Sequence, residues 1–162
     1  MPADFKTLLE ALAAEKVRYV VIGGMAAIEH GAAILTSDLD LCYERSPENL
    51  QRLAKVLAGL KVTLRGAPKD LPFRMDAETL QAGLNFTFDS VAGPVDTLGE
   101  VQGVGGFAEV DAHAIDARVY GVRVRVMGLD DLIRAKKSAG RRKDKLQLLE
   151  LEDLLRIKKK GE

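Results

Sequence analysis

Asp38-Leu39-Asp40 is the sharpest chemical feature of the chain. On a strand, residues i and i+2 point to the same side, roughly 6.5–7 Å apart, so both carboxylates reach one site. Side by side without a cation they repel. Oxygen ligands suit hard cations such as Mg2+, and a two-metal site with ions about 3.5–4 Å apart needs bridging carboxylates of this kind. A solvated strand face carrying two acids would have the same sequence. An EF-hand loop is excluded, because Cys42 would stand at its fifth position and Tyr43 where glycine is required. Gly23-Gly24 follows an apolar run and precedes a helical pattern, which leaves backbone amides free to approach a phosphate. A simple tight turn would use the same two residues. Gly103, Gly105 and Gly106 lack the final glycine of a dinucleotide fingerprint, with Ala108 in its place, and read as a loop. Asp96, within Pro94-Val95-Asp96-Thr97-Leu98, is a third acid, and alone it reads as a turn or edge residue. Of the two histidines, His30 reads as a helix C-terminal packing residue, and His113 has no partner that the sequence identifies.

The elements that must position these residues follow from periodicity. Phe5, Leu8, Leu9, Leu12 and Ala13 recur at helical spacing behind an Asp4 cap, up to about Lys16. Arg18 to Ile22 is a β-branched run stopped by the glycine pair, and Met25 to His30 is a brief helix closed by Gly31. Thr36 to Tyr43 alternates, with Leu39 and Leu41 on one face and Asp38, Asp40 and Cys42 on the other. Ser46-Pro47 opens a helix to about Leu60, Lys61 to Arg65 is a short strand, and Gly66 to Phe73 is loop. Leu84 to Asp89 and Val95 to Leu98 are strands joined through Gly93-Pro94, and a small helix spans Phe107 to Ala112. Ile115 to Tyr120 and Val122 to Val126 form a hairpin around Gly121. Leu129 to Ala139 and Arg141 to Lys159 are helices separated by Gly140. The expectation is one mixed α+β domain, with a core over about residues 1–126 and C-terminal helices over about 128–159.

With 162 residues, 47% hydrophobic and 30% charged, the chain has the composition of a globular protein with a real core rather than a disordered one. Its 24 Lys+Arg balance 24 Asp+Glu, which excludes a surface that is basic throughout. The balance is expected to be a cancellation between an acidic face and a basic helical end from Arg134 onward. Eight aromatics and no Trp make a poor stacking platform for single-stranded nucleic acid. Cys42 is the sole cysteine, so neither an internal disulfide nor a cysteine metal cluster can form, and a lone thiol fits the cytoplasm. No signal-peptide core or membrane span is expected.

In combination these features gain meaning. Val20-Val21-Ile22-Gly23-Gly24, followed after thirteen residues by Asp38-Leu39-Asp40-Leu41 and later by Val95-Asp96-Thr97, resembles the signature of the polymerase-beta-like nucleotidyltransferase superfamily. One branch is closer. Gly23-Gly24-Met25-Ala26, His30-Gly31, Thr36, Asp38-Leu39-Asp40-Leu41, Asp131-Leu132-Ile133, Lys136, Gly140-Arg141 and Lys143-Asp144 look like the small bacterial and archaeal nucleotidyltransferases related to abortive-infection toxins. The resemblance runs from about Tyr19 to Leu155. The chain departs from it at Met25, where many relatives have serine, at Ile34, where close relatives often have arginine, and at Gln147, where the toxin branch often has a second acid.

The resemblance implies a nucleotidyltransferase-type mixed sheet with flanking helices and a helical C-terminal extension. It implies transfer of an NMP from an NTP, ATP included, to a hydroxyl of RNA, such as a tRNA 3′ end, or of a protein, with pyrophosphate released. Asp38 and Asp40 would hold two Mg2+ ions, or Mn2+, and Asp96 would complete the site of the catalytic ion. Gly23 and Gly24 would bring amides against the triphosphate, and Lys136 and Arg141 would lie near the nucleotide. A cognate antitoxin or another partner chain would complete a toxin–antitoxin pair, and acceptor specificity would come from the helical end or from that partner. Two other readings use the same residues. One is a catalytically silent member that binds a nucleotide or a partner protein. The other is a plain RNA-binding domain built on the basic stretch from Arg134 to Lys145.

Overall fold

The apolar runs of the sequence become the middle of a seven-stranded mixed sheet. The computed structural model describes residues 1–68 and 70–161; Lys69, inside the expected Gly66 to Phe73 loop, lies outside the described residues. The chain begins α1 (Phe5–Ala14), β1 (Tyr19–Ile22), α2 (Gly23–Glu29), β2 (Leu39–Tyr43), α3 (Pro47–Gly59), β3 (Thr63–Leu64) and α4 (Ala77–Ala82). It continues β4 (Asn85–Asp89), β5 (Val95–Leu98), β6 (Glu100–Val101), β7 (Gly105–Gly106) and α5 (Phe107–Ala112). Last come the hairpin β8 (Ile115–Val119) and β9 (Val122–Val126), then α6 (Leu129–Ala139) and α7 (Arg142–Lys160). Strand order is β3-β4-β5-β2-β1-β9-β8, with β6 and β7 as a separate ribbon. The β2–β5 and β1–β9 pairs are parallel and the others antiparallel.

The central strands are covered on both faces. Val20, Val21, Leu39, Leu41, Cys42 and Tyr43 are fully buried, and complete burial of side chains of this size contributes roughly 1.5–3 kcal/mol each. The helices start where short polar side chains take their first amides: Asp4 accepts from Thr7 N at 3.1 Å, Ser46 from Asn49 N at 3.3 Å, and Asp76 from Thr79 N at 2.9 Å. Helix α6 stops at Gly140, whose φ of +65° is open to glycine at little cost.

Helix α2 begins at Gly23 rather than Met25, so the glycine pair forms its first turn, and four further differences from expectation have a local reason. Strand β2 begins at Leu39 rather than Thr36, because the Ser37 carbonyl is taken by Ala3 N (2.8 Å) instead of a neighbouring strand. Lys61, at φ +52°, cannot extend β3 backward, so that strand shortens to two residues. The Gly103 loop closes as the β6–β7 ribbon, pairing Glu100 with Gly106 and Val101 with Gly105. Helix α4 was not anticipated; its Asp76 cap and buried Leu80 hold six residues that carry too little periodicity to stand out. Among the described residues no helix is long and apolar enough to cross a membrane.

Asn49 locks the two strands that carry the glycine pair and the acids. Its Nδ2 donates to Arg18 O (3.0 Å) and Glu44 O (2.7 Å), while its Oδ1 accepts from Arg18 N (2.7 Å). The side chain is 2% exposed, so its partners have no ready water to replace it. Asn49→Ala is expected to lower stability by about 2–3 kcal/mol in urea unfolding; a loss under about 0.5 kcal/mol would show that the lock carries no weight.

Candidate active site

Strand register assembles the site. The parallel β2–β5 pairing sets Asp40 beside Asp96, and the antiparallel β4–β5 pairing sets Asp96 beside Thr87. Arg65 follows β3 and continues its register, donating its N–H to Thr87 O at 2.9 Å. Arg65, Thr87, Asp96 and Asp40 therefore make one row across adjacent chain segments, and side chains in such a row share a face. Asp38 enters from the bend before β2, its Oδ1 accepting a hydrogen bond from Ser37 Oγ at 3.0 Å. One carboxylate oxygen from each of Asp38, Asp40 and Asp96 lies within 4.8 Å of the other two.

The electrostatics are those of an under-compensated acid cluster. Burial, and then the adjacent Asp96 and Asp38 charges, push the Asp40 carboxyl up to about 7, with Lys136 pulling the other way. Asp40 Oδ1 is buried and has no hydrogen-bond partner among the described residues, which for a carboxylate oxygen is an unmet demand for a donor or a cation. The Arg65 guanidinium partly answers the cluster: Nη2 is 2.8 Å from Asp96 Oδ1 and Nη1 is 3.9 Å from Asp38 Oδ2.

The glycine pair makes room for this acidic segment. Gly23 has φ +67°, and a Cβ there would fall on Asp40 Oδ2. A Cβ on Gly24 would sit 2.6 Å from Thr36 Oγ1; that hydroxyl donates to Asp38 O at 3.3 Å. Beside Asp40 and Asp96 opens a cavity of about 230 Å³, with Gly23, Leu98, Met127, Leu132, Lys136 and Arg141 in its walls.

Lys136 and Arg141 thus share a pocket with Asp40 and Asp96, but both are tied to Asp144. Lys136 Nζ is 3.1 Å from Asp144 Oδ1, and Arg141 Nε is 2.6 Å from Oδ2 with Nη2 3.2 Å from Oδ1. Burial alone would raise the Asp144 carboxyl; the hydrogen bonds from Arg141 and Lys136 outweigh it and hold the group at about 2. Two further cations of the basic stretch are paired with acids. Arg134 pairs with buried Asp131 at 2.5 Å and Lys137 with Glu152 at 3.8 Å. Arg142, Lys143 and Lys145 are exposed, so around these pairs the helical end keeps the basic character expected from the sequence.

The acids and glycines singled out in the sequence converge, and Lys136 and Arg141 line the same cavity. Sequence reasoning missed Arg65 as a member of the cluster and Asp144 as the anchor of the two cations. The sequence carried no signal for Arg65, because its register against Thr87 is set by pairing between distant segments.

The fold is that of known nucleotidyltransferases. Two solved structures align with it over nearly their full length. The lincosamide antibiotic adenylyltransferase LnuA, bound to lincomycin, aligns with a TM-score of 0.60 and 11% identity, covering 94% of this chain and 98% of that one. The antibiotic-resistance factor ANT(2'')-Ia aligns with a TM-score of 0.52 and 13% identity, covering 97% and 94%. No protein-family model matches the chain, and no curated protein matches it in sequence. The kinship is one of fold, and the resemblance to the toxin branch finds no support in sequence comparison.

Two substitutions test the geometry. Gly23→Ala is expected to displace the Asp40 carboxylate and to cost about 1–3 kcal/mol from the positive φ and the clash; unchanged thermal stability together with unchanged divalent-cation binding would refute the packing argument. For Asp144 the folded value lies below the ordinary 3.8, so its stabilisation is complete above about pH 4 and fades as pH falls toward 2. The stability difference between wild type and Asp144→Asn should be about 2 kcal/mol at pH 6 and shrink across that window in urea titrations; a difference independent of pH would contradict the assignment.

Proposed function

We propose that the chain is a metal-dependent nucleotidyltransferase that moves an NMP from an NTP to an acceptor hydroxyl. The observation that carries this is the convergence of Asp38, Asp40 and Asp96 within 4.8 Å beside the 230 Å³ cavity. The donor set fits Mg2+ or Mn2+: the ligands are all carboxylate oxygens, and Asp40 Oδ1 is orphaned among the described residues. Asp38, Asp40 and Asp96 would hold the ions, two in number by the superfamily resemblance. Bound there, such ions neutralise triphosphate charge and acidify the acceptor hydroxyl.

The chain's own residues do the rest. Gly23 and Gly24 put backbone amides beside the acids, where triphosphate oxygens can approach them, while the space of their missing Cβ atoms is taken by Asp40 and Thr36. Leu98, Met127 and Leu132 give the cavity an apolar wall suited to a nucleobase, and Lys136, fixed by Asp144, stands at its rim as a positive charge near Asp40. The acceptor oxygen bonds to the α-phosphorus as the bridging oxygen departs with pyrophosphate, and the hydroxyl proton is released. Catalysis then comes from positioning and charge compensation rather than from a protein nucleophile.

The motif order of the sequence supports an RNA or protein hydroxyl as acceptor and a place in a toxin–antitoxin pair. The name and ligand of the lincomycin-bound structural neighbour favour a second reading, a small hydroxylated molecule. The test is incubation with α-labelled NTPs and Mg2+ in three arms: bulk tRNA, cell-lysate protein, and hydroxylated antibiotics including lincomycin. Label should enter one class of acceptor, and Asp40→Asn should reduce transfer more than about 100-fold. Transfer by Asp40→Asn at the wild-type rate would refute the assigned site, and NTP binding without transfer in any arm would favour the silent binding module.

A further inference from the structure

Arg65 has no part in the reaction just described, yet it touches two of the three acids that would hold the ions. Its Nη2 donates to Asp96 Oδ1 at 2.8 Å, and Nη1 lies 3.9 Å from Asp38 Oδ2. It has a second set of partners outside the cluster: Nε donates to Asp89 Oδ1 at 3.2 Å and Nη2 to Phe88 O at 2.7 Å. Asp40 has no hydrogen bond from it, and its buried Oδ1 stays unpartnered among the described residues. A carboxylate oxygen that already accepts a guanidinium N–H has much of its charge compensated, so an entering cation must compete for it. Asp89 and the Phe88 carbonyl let the guanidinium yield Asp96 and Asp38 while keeping hydrogen-bond partners of its own.

We propose that Arg65 is the internal counter-cation of the acid triad and is exchanged when a divalent ion binds. Asp96 and Asp38 pass from the guanidinium to the ion, and Arg65 stays on Asp89 and the Phe88 carbonyl. The proposal rests on reading the triad as a metal site. It makes Arg65 a determinant of metal affinity, so that the ion is bound more weakly than three carboxylates alone would bind it. The exchange moves positive charge in and out of the cluster without leaving it bare at either stage.

The experiment is Mn2+ titration of the full chain without nucleotide, followed by the EPR signal of free Mn2+, for wild type, Arg65→Gln, Arg65→Lys and Asp40→Asn. Arg65→Gln should bind Mn2+ about tenfold more tightly than wild type, Arg65→Lys should fall between them, and Asp40→Asn should lose binding. Equal or weaker affinity in Arg65→Gln overturns the exchange but leaves the metal site standing. No Mn2+ binding by wild type or Arg65→Gln overturns both. Should Arg65→Gln fail to fold, the Nη–Hη resonances of Arg65 in wild type decide, assigned by their loss in Arg65→Lys, since Nη1 and Nη2 face Asp38 and Asp96. Those resonances should shift during Mg2+ titration and saturate with the ion; resonances unmoved at saturation overturn the exchange.

Discussion

Mutual repulsion among three carboxylates is the constraint to which the rest of the structure answers. Two unit charges 4.8 Å apart, the outer limit of the oxygen spacing here, repel by about 3–4 kcal/mol at an effective dielectric of 20. Three such pairs together approach the whole stability of an ordinary domain, about 5–15 kcal/mol. The molecule therefore cannot leave the cluster uncompensated. Arg65 supplies one positive charge from the β3 side. The group formed by Lys136, Arg141 and Asp144 supplies another from the helical side, since it holds two cations and one anion. What is left is visible in Asp40, whose carboxyl is pushed up to about 7 by burial and by the Asp96 and Asp38 charges.

The fold imposes this crowding through register. The parallel β2–β5 pair sits between antiparallel neighbours, and its alignment places residue 40 level with residue 96. A slip of one residue would point one acid to the opposite face, where Leu39, Leu41 and Val95 are buried. The apolar face thus fixes the acidic one: the core residues pay for the placement of the acids. Gly23 completes the arrangement from the other neighbour, because its missing Cβ is the space that the Asp40 carboxylate fills.

How far the site could be read from sequence depended on how local each signal was. Asp38 and Asp40 were legible because the i, i+2 rule acts within one strand. Asp96 was legible through the order of motifs, although the parallel register that brings it level with Asp40 lies beyond any local pattern. Arg65 was not legible as a site residue. It meets Asp96 across 31 positions of sequence through a strand of two residues, too short for alternation to reveal its face. Lys136 and Arg141 were found, but their pairing was not. In sequence Asp144 is one acid within a basic run; only in the folded helix pair is it fully buried with both cations turned onto it. The β6–β7 ribbon escaped because segments of two residues do not complete a recognisable period, and helix α4 because it buries a single apolar residue, Leu80.

The two sources of positive charge differ in a way that suits them to different tasks. Lys136 is 18% exposed and faces a carboxylate with no exposure, so removing it would leave the buried Asp144 with Arg141 as its one remaining cation. It is a fixed wall of the cavity. Arg65 is 31% exposed, and its alternative partner Asp89 is 54% exposed, so water can share in any rearrangement and the guanidinium never loses all its acceptors. Burial therefore sorts the cations: the deep one sets a permanent field beside Asp40, and the shallow one can yield its carboxylates. An acid cluster built for a charged ligand needs both, since permanent compensation alone would repel the ion and no compensation would destabilise the empty fold.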